Sequence, residues 1–324
     1  MVRMLRPRAL QQGDTVAVAA LSGGLDADEE ALFRRGIAEL EGLGFVVQIS
    51  PLVEIGRHWW WGAAQPAELA GEFNRLLHDP EVRAIFALSG GRMTLGYLDL
   101  IDYAAVEADP KPVIGFSDID AVLLALHSRT GLVGVHGDLV TFGYGEWQEA
   151  GADRRQELAD VSTRLLTSTS PVGMLPSDGE WERWHGGRAV GPLLGGLLNR
   201  LVRLQATPFA LPPERFDGAI LFWEEVGTAT SAVWNDLHVL RHAGILDRIA
   251  GMLVGPVADI EVTEGGPGLR EIVLDVLGDR DIPVLANLEI GHTPPNLPLP
   301  LGVRAQLDAD AATLSLLESA VVER

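Results

Sequence analysis

The chain has 324 residues, a formal net charge of −20 and no cysteine. Its length predicts two domains, and its acidic balance argues against nucleic acid or an anionic membrane as a partner, because both attract basic surfaces. The lack of cysteine excludes disulfides, thiolate zinc sites and cysteine nucleophiles. No signal peptide or membrane-spanning run is recognised, so a soluble cytoplasmic protein is predicted.

The first part of the chain alternates apolar runs of strand length with amphipathic stretches of helix length. This alternation is typical of an α/β domain with a parallel, doubly wound sheet. The predicted strands cover residues 15–20, 45–49, 84–88, 113–114 and 131–135.

Small and polar residues follow several of these predicted strands. In doubly wound sheets ligands bind at the carboxyl ends of the strands, so this convergence predicts a ligand site there. No G-K-[ST] or G-x-G-x-x-G pattern occurs, and a phosphate loop is therefore not predicted. The residues concerned are Ser22, Gly90, Gly91, Ser117 and His136.

Ser117 lies between a short predicted strand and a predicted helix. Val113 and Ile114 favour a buried strand, and the apolar positions after the serine fall on one helical face. A sharp strand-to-helix turn exposes the hydroxyl beside free backbone N–H groups, which is the nucleophile-elbow arrangement. Ile119 replaces the second glycine of G-x-S-x-G. Ser117 is thus a candidate nucleophile, and a helix N-cap serine is the alternative.

Two segments are rich in tryptophan. Residues 59–61 are three consecutive tryptophans, which cannot all face one core, and both ligand contact and irregular loop packing remain open for them. Residues 151–188 are charged and broken by proline and glycine, which predicts a linker with one helix near 154–166. This predicted linker carries Trp181 and Trp184.

The part of the chain after the predicted linker predicts a second, mixed α/β domain rich in strands. One apolar strand, 219–223, runs directly into Glu224 and Glu225. Because successive strand residues face opposite sides, one of these carboxylates faces inward and needs a partner. His292, in a loop flanked by glycine and proline, is the candidate partner. With the serine, they supply a nucleophile, an orienting carboxylate and a base.

Metal chemistry has weaker support. His238 and His242 are one helical turn apart, which suits two zinc ligands. A solvated helix end, where histidine complements the helix dipole, is the favoured interpretation. No metal site is predicted.

Several motifs together resemble the LD-carboxypeptidase family of serine peptidases, which includes the microcin C7 immunity-type hydrolases. The resemblance runs nearly end to end. It includes the opening strand, a glycine turn, the serine elbow, a second glycine turn, the glutamate strand and the histidine segment. These motifs are residues 13–18, 88–91, 112–118, 194–198, 221–225 and 290–292.

The resemblance implies a Ser117–His292–Glu224 triad, with backbone N–H groups of Gly91 and Asp118 as the oxyanion hole. It implies a flavodoxin-like N-terminal domain, a strand-rich swivelling C-terminal domain, a cytoplasmic homodimer and no metal or organic cofactor. The predicted boundaries are 1–150, 151–188 and 189–324.

The chain departs from the family pattern in its first glycine turn, where Arg92 and Met93 follow the glycine pair. Arg92 either holds a carboxylate or phosphate of the substrate or faces solvent. Trp181 and Trp184 either stack on a nucleobase or pack the linker onto the second domain.

Two substrate classes follow from the resemblance. One is an aminoacyl or peptidyl adenylate-type compound, the favoured class, and the other is a murein tetrapeptide that releases D-alanine. A non-catalytic small-molecule binding protein on the same scaffold is the alternative from another functional class.

Overall fold

The computed structural model describes residues 4–262, 264–294 and 296–323. The chain forms two β-sheets, one of six strands and one of eight. Helices cover the sheets, and the fold is mixed α/β, which confirms the predicted fold class. Pro295, within the predicted histidine motif region, lies outside the described residues.

The first sheet has the strand order β12-β5-β4-β3-β1-β2. Apart from the antiparallel β12, its strands are parallel, and the order of β1 to β5 is that of flavodoxin-like sheets. In that order the chain reverses direction across the sheet between β1 and β3, where ligands bind. The strands are β1 Thr15–Ala19, β2 Val46–Ile49, β3 Val82–Ala87, β4 Val113–Gly115, β5 Val135–His136 and β12 Leu299–Pro300.

Five helices accompany this first sheet. The helix after β4 is buried on nearly all sides, because it lies between the first sheet and elements of the second. It ends at Gly131, whose positive φ of 78° gives a left-handed C-cap. The helices are α1 Glu30–Gly42, α2 Pro66–His78, α3 Tyr103–Ala108, α4 Asp120–Thr130 and α5 Ala152–Thr167.

The second sheet has a parallel centre, β8-β9-β10-β11, and antiparallel strands on both flanks. Two of its flanking strands, β6 and β7, come from residues 151–188, which the sequence predicts to be a linker. The strands are β6 Gly173–Met174, β7 Glu182–His185, β8 Arg188–Leu197, β9 Ile220–Val226, β10 Gly251–Ala258, β11 Val284–Ala286, β13 Arg304–Asp308 and β14 Thr313–Leu316.

Three further helices complete the fold: α6 Leu198–Leu204, α7 Thr230–His242 and α8 Leu269–Leu277. The apolar side chains of both sheets and their helices form one continuous buried cluster. None of the helices in the described part of the chain is both long and apolar enough to cross a membrane.

The chain returns to the first sheet after β11. Residues beyond β11 leave the second sheet, pass through a loop, and enter β12, which pairs with β5 of the first sheet. The loop therefore lies where the two sheets meet. It carries His292, and this connection brings the histidine to the carboxyl ends of the first sheet's strands.

Candidate active site

Ser117 occupies a strained turn between β4 and α4. Its φ is +65°, a value that is uncommon outside glycine, and it begins a short 3₁₀ turn that leads into the helix. Strain of this kind persists where the surrounding packing imposes it, often at functional sites. The predicted strand–turn–helix arrangement around this serine is therefore present.

The glycine turn after β3 lies directly against Ser117. A Cβ atom on Gly90 would lie 2.9 Å from the serine Oγ, so a larger residue there would crowd the hydroxyl. The carbonyl of Gly90 accepts a hydrogen bond from the backbone N–H of Gly23, 2.7 Å away. The turns after β1 and β3 thus form one wall beside the serine.

The carboxylate of Asp118 holds these turns in place through hydrogen bonds. Its buried carboxylate accepts hydrogen bonds from the hydroxyl of Ser22 at 2.6 Å and from the backbone N–H groups of Met93 at 2.7 Å and Thr94 at 3.0 Å. Its other oxygen accepts from Nε of Arg200 at 2.6 Å. Burial raises the pKa of Asp118, but Arg200 and the other donors outweigh burial and hold it below its usual value.

The acid–base partners reach Ser117 from the second sheet. Nε2 of His292 lies 2.9 Å from Oγ of Ser117, and Nδ1 of His292 lies 2.8 Å from Oε2 of Glu224. With Nδ1–H donating to the carboxylate, Nε2 is the acceptor for the serine hydroxyl. The three side chains form a chain of two hydrogen bonds with the serine at its exposed end.

The loop that carries His292 is closed by its own hydrogen bonds. The N–H of Leu297 donates to the carbonyl of Glu289 at 2.7 Å, and the N–H of Gly291 donates to Oδ1 of Asn296 at 3.0 Å. Gly291 has a φ of +93°, and a Cβ there would lie 2.2 Å from Oε2 of Glu224. Glycine is needed at this position for the glutamate carboxylate to reach the histidine.

Glu225 faces the other side of β9. Its carboxylate accepts hydrogen bonds from the side chain of Asn199 at 2.7 Å and from the backbone N–H of the same residue at 2.8 Å. Burial raises the pKa of this carboxyl above its usual value. The two successive glutamates therefore have different partners, as the alternation of strand side chains requires.

A second buried pair, formed by His136 and Asp120, lies behind His292. Nδ1 of His136 is 2.9 Å from Oδ1 of Asp120, whose other oxygen accepts the N–H of Leu197 at 2.7 Å. Burial lowers the pKa of His136, but the charges of Asp120 and Glu224 outweigh burial and raise it. The neighbouring carboxylates thus favour the protonated form of this imidazole more than water does.

The hydroxyl of Ser117 opens into a cavity of about 540 Å³. Beside Ser117 and His292, its lining includes both glycines of the turn after β3, two acidic residues and two tryptophans from the segment 58–61. The residues that line it are Gly23, Gly24, Asp26, Glu29, His58, Trp60, Trp61, Ser89, Gly90, Gly91, Phe116, Ser117, Leu139, Phe142 and His292.

Of the two alternatives open for Trp181 and Trp184, the structure supports packing and corrects the prediction of substrate contact. Trp181 and Trp184 are 7% and 8% exposed, belong to the apolar core, and are not among the described residues that line the cavity. Nε1 of Trp181 donates to the carboxylate of Glu289 at 3.3 Å, so this indole supports the base of the histidine loop instead. Arg92 is exposed next to Gly91 and outside that lining.

Sequence reasoning missed several residues of this site. The sequence leaves Trp60 and Trp61 open between packing and ligand contact, and it does not single out Asp26. Arg200 and Glu29 carried no motif. These side chains reach the site through contacts with residues distant in sequence, which a short motif does not reveal. The run of three tryptophans is the signal that the sequence offers for this region.

Family models match the chain in both sheets. The model of the LD-carboxypeptidase N-terminal domain matches residues 16–137, and that of the LD-carboxypeptidase C-terminal domain matches residues 190–307. A putative carboxypeptidase of Streptomyces coelicolor is 34% identical over 98% of this chain and 97% of that protein. The chain belongs to the LD-carboxypeptidase family.

Other relatives in the family carry different names. A probable murein peptide carboxypeptidase of Bacillus subtilis is 28% identical over 98% of this chain and 96% of that protein. The microcin C7 self-immunity protein MccF of Escherichia coli is 26% identical over 95% of this chain and 94% of that protein. The solved structure of MccF in complex with glutamyl sulfamoyl guanosine matches with a TM-score of 0.88 and 25% identity, covering 98% of this chain and 100% of that one.

The family and the names of its members identify the chain as an enzyme, a hydrolase of the serine carboxypeptidase type. The hydrogen-bond chain from the serine to the glutamate lies within the matched ranges. The names divide between murein peptide carboxypeptidases and MccF.

Proposed function

We propose that the chain hydrolyses an amide or peptide bond by a Ser117–His292–Glu224 triad. The observation that carries the proposal is the pair of hydrogen bonds, 2.9 and 2.8 Å long, that joins these side chains at the floor of an open cavity. His292 accepts the serine proton as Oγ attacks the carbonyl carbon, and Glu224 stabilises the imidazolium that results.

The oxyanion formed by this attack requires hydrogen-bond donors. We assign them to the backbone N–H groups of Gly91 and Asp118, which flank the serine in the glycine turn and at the start of the 3₁₀ turn. Hydrogen bonds from Met93 and Thr94 to the Asp118 carboxylate hold the two turns together, so the donors are preorganised. One such donor contributes about 3 kcal/mol to transition-state stabilisation.

The second half of the reaction reverses the proton transfers. His292 protonates the leaving group as the C–N bond breaks, leaving an acyl group on Ser117. The same imidazole then accepts a proton from water, which attacks the acyl carbon, and returns a proton to the serine as the acid leaves. Apart from the attacking water, the proton transfers of this sequence use side chains of the chain itself.

We propose an aminoacyl or peptidyl nucleotide-type amide as the substrate. Two MccF structures, to which this chain is similar over nearly its whole length, hold aminoacyl sulfamoyl nucleosides. Here two exposed indoles, those of Trp60 and Trp61, line the cavity that holds the proposed nucleophile, so the cavity offers apolar area to a ligand.

A murein tetrapeptide is the second candidate, because murein peptide carboxypeptidases are also among the relatives. The purified protein should be offered both an aminoacyl sulfamoyl adenosine and a murein tetrapeptide, with products identified by mass spectrometry. Cleavage of the adenosine compound supports the first substrate. Release of D-alanine alone would replace it with the second.

A non-catalytic binding protein is the remaining alternative. A fluorophosphonate probe separates the two, because it labels a serine only when a base activates it. Labelling of the wild type at Ser117, absent in His292→Ala, supports the enzyme. Absence of labelling in a folded protein that still binds the adenosine compound would leave only a binding role.

We also propose a cytoplasmic homodimer on the strength of the family resemblance. Sedimentation velocity at micromolar concentration tests the dimer, because the mass derived from it should be twice that of the 34.8 kDa chain.

A further inference from the structure

The turn after β2 projects two tryptophans toward the cavity. Trp59 and Gly62 exchange backbone hydrogen bonds of 2.8 and 3.0 Å, which leaves Trp60 and Trp61 at the tip. Trp60 has a φ of +52°, a strained value for a bulky residue, and its ring stacks on that of Trp59 with centroids 4.0 Å apart. The turn is a fixed platform, because its hydrogen bonds and stacking hold it in a conformation that its residues disfavour.

The indoles of this platform are open to solvent. Trp60 is 72% exposed and Trp61 is 60% exposed, and both line the cavity that contains Ser117. Adjacent exposed indoles in a concave site favour ligand contact, because covering them removes a large apolar area from water.

The same end of the cavity is acidic. Asp26 and Glu29 line it, and neither lysine nor arginine is present among the described residues that do so. Nε2 of His58 lies 2.9 Å from Oδ1 of Asp26. The nearby Arg57 pairs with Glu68, 3.2 Å away. The indoles and carboxylates therefore face the cavity without a permanently charged basic residue to neutralise them.

We propose that Asp26, Glu29, Trp60 and Trp61, here called the indole–carboxylate subsite, bind a primary ammonium group on the acyl part of the substrate. This inference rests on the proposed function. An ammonium group gains charge-assisted hydrogen bonds from the carboxylates and cation–π contacts from the indoles.

The charge of the subsite also decides which part of the substrate lies there. Both leaving groups considered above are anionic, since D-alanine carries a carboxylate and a sulfamoyl or phosphoryl nucleotide carries its own negative charge. Carboxylates repel such groups. The leaving group therefore lies away from Asp26 and Glu29, and the acyl part extends toward them.

Burial supports this assignment at Glu29. Burial raises the pKa of this carboxyl, because a charged carboxylate loses hydration there. An ammonium group beside Glu29 lowers the pKa of this carboxyl again and so favours its ionised form. The contact therefore stabilises both charges.

The kinetic test uses alanyl sulfamoyl adenosine with a free α-amine and its N-acetyl counterpart. The double variant Asp26→Asn, Glu29→Gln should lower kcat/KM for the free amine by about tenfold or more, and by much less for the acetylated compound. Trp60→Ala and Trp61→Ala should each lower it by about two- to fivefold. Asp28→Asn, in the same turn but outside the cavity lining, is the matched acidic control.

A binding test keeps the inference separate from catalysis. In Ser117→Ala protein, titration calorimetry should show tighter binding of the free amine than of the acetylated compound, and the subsite double variant should abolish that preference. Equal affinity for the two compounds, or a preference that survives the double variant, would overturn the subsite. Failure of the proposed function looks different, since wild-type protein would then bind with the amine preference but cleave neither compound.

Discussion

The two sides of the proposed site are built in different ways. Ser117 belongs to one continuous stretch of strand, turn and helix, and its neighbour Asp118 holds the adjoining glycine turn. Glu224 and His292 are 68 residues apart in sequence and meet only because a loop runs from the second sheet back to the first. The exposed serine is thus a product of local backbone geometry, whereas its base, His292, depends on long-range packing.

Contacts between the two sheets join these sides. Arg200, from the helix after β8, binds the Asp118 carboxylate, and β12 pairs with β5 just beyond the histidine loop. Substitutions on each side should therefore have separable effects on chemistry and on stability, and the joining contacts should affect both.

The largest effect is expected on the serine side. Ser117→Ala should lower kcat by about 10⁴-fold or more, because it removes the nucleophile while the rest of the site stays in place. Kinetics with the cleaved substrate provide the measurement, and circular dichroism checks the fold. Ser128→Ala, in the helix that follows the elbow, should keep wild-type turnover. A Ser117→Ala protein with wild-type turnover would remove the nucleophile assignment.

The next effect separates two neighbouring carboxylates on the acid–base side. Glu224→Gln should lower kcat by about 10³–10⁴-fold, since an amide orients His292 poorly and cannot stabilise its cation. Glu225→Gln should change kcat far less, because its partner is Asn199. Turnover of the two purified variants gives the comparison. The reverse ranking would contradict the proposed role of Glu224.

A third prediction concerns the link between the sides. Asp118→Asn should lower the free energy of unfolding by about 3 kcal/mol, because it leaves the buried Arg200 charge uncompensated. The double variant Asp118→Asn, Arg200→Met should lose less than the sum of the single variants. Urea unfolding measures all three. Strict additivity would mean that the pair does not couple the two sides.

The smallest effect distinguishes two aspartates of the serine side. Asp118 has an arginine partner, whereas Asp138, after β5, accepts a hydrogen bond from the Trp147 indole at 2.6 Å, and burial raises its pKa to about 8. The folded state then binds a proton that the unfolded state releases above about pH 4, so this carboxyl lowers stability as pH rises from about 4 to 8.

Asp138→Asn should remove that loss. Its unfolding free energy should exceed that of wild type by about 1–3 kcal/mol at pH 9, with a much smaller difference at pH 5. Urea midpoints across this range provide the measurement, and Asp28→Asn is the exposed control. A difference independent of pH would contradict the raised pKa of Asp138.

Much of the fold follows from short windows of sequence. The apolar runs that predict strands near residues 15–20 and 84–88 form β1 and β3, and the window 113–130 forms β4, the serine turn and α4. The long strand β8 was not predicted, because Gly195 and Gly196 within it indicate a glycine turn. These glycines instead allow close contact with neighbouring backbone or side chains, which only the assembled sheet reveals.

The tryptophans mark the limit of this reasoning. The sequence predicts that at least one residue of 59–61 lies at a surface or cleft, and two of them line the cavity. It leaves Trp181 and Trp184 open between stacking on a nucleobase and packing the linker, and the structure buries both indoles, with Trp184 in β7 and Trp181 bound to Glu289. Composition alone cannot distinguish these cases, because exposure is a property of what packs around a side chain.

The sequence by itself determined the fold class, the family and the turn that exposes Ser117, because strand and helix patterns and backbone preferences act over a few residues. Only the tertiary structure decided which glutamate faces His292, which indoles border the cavity and what charge the cavity carries. Those properties depend on strand register, on the loop that crosses between the sheets, and on burial by residues far away in the chain.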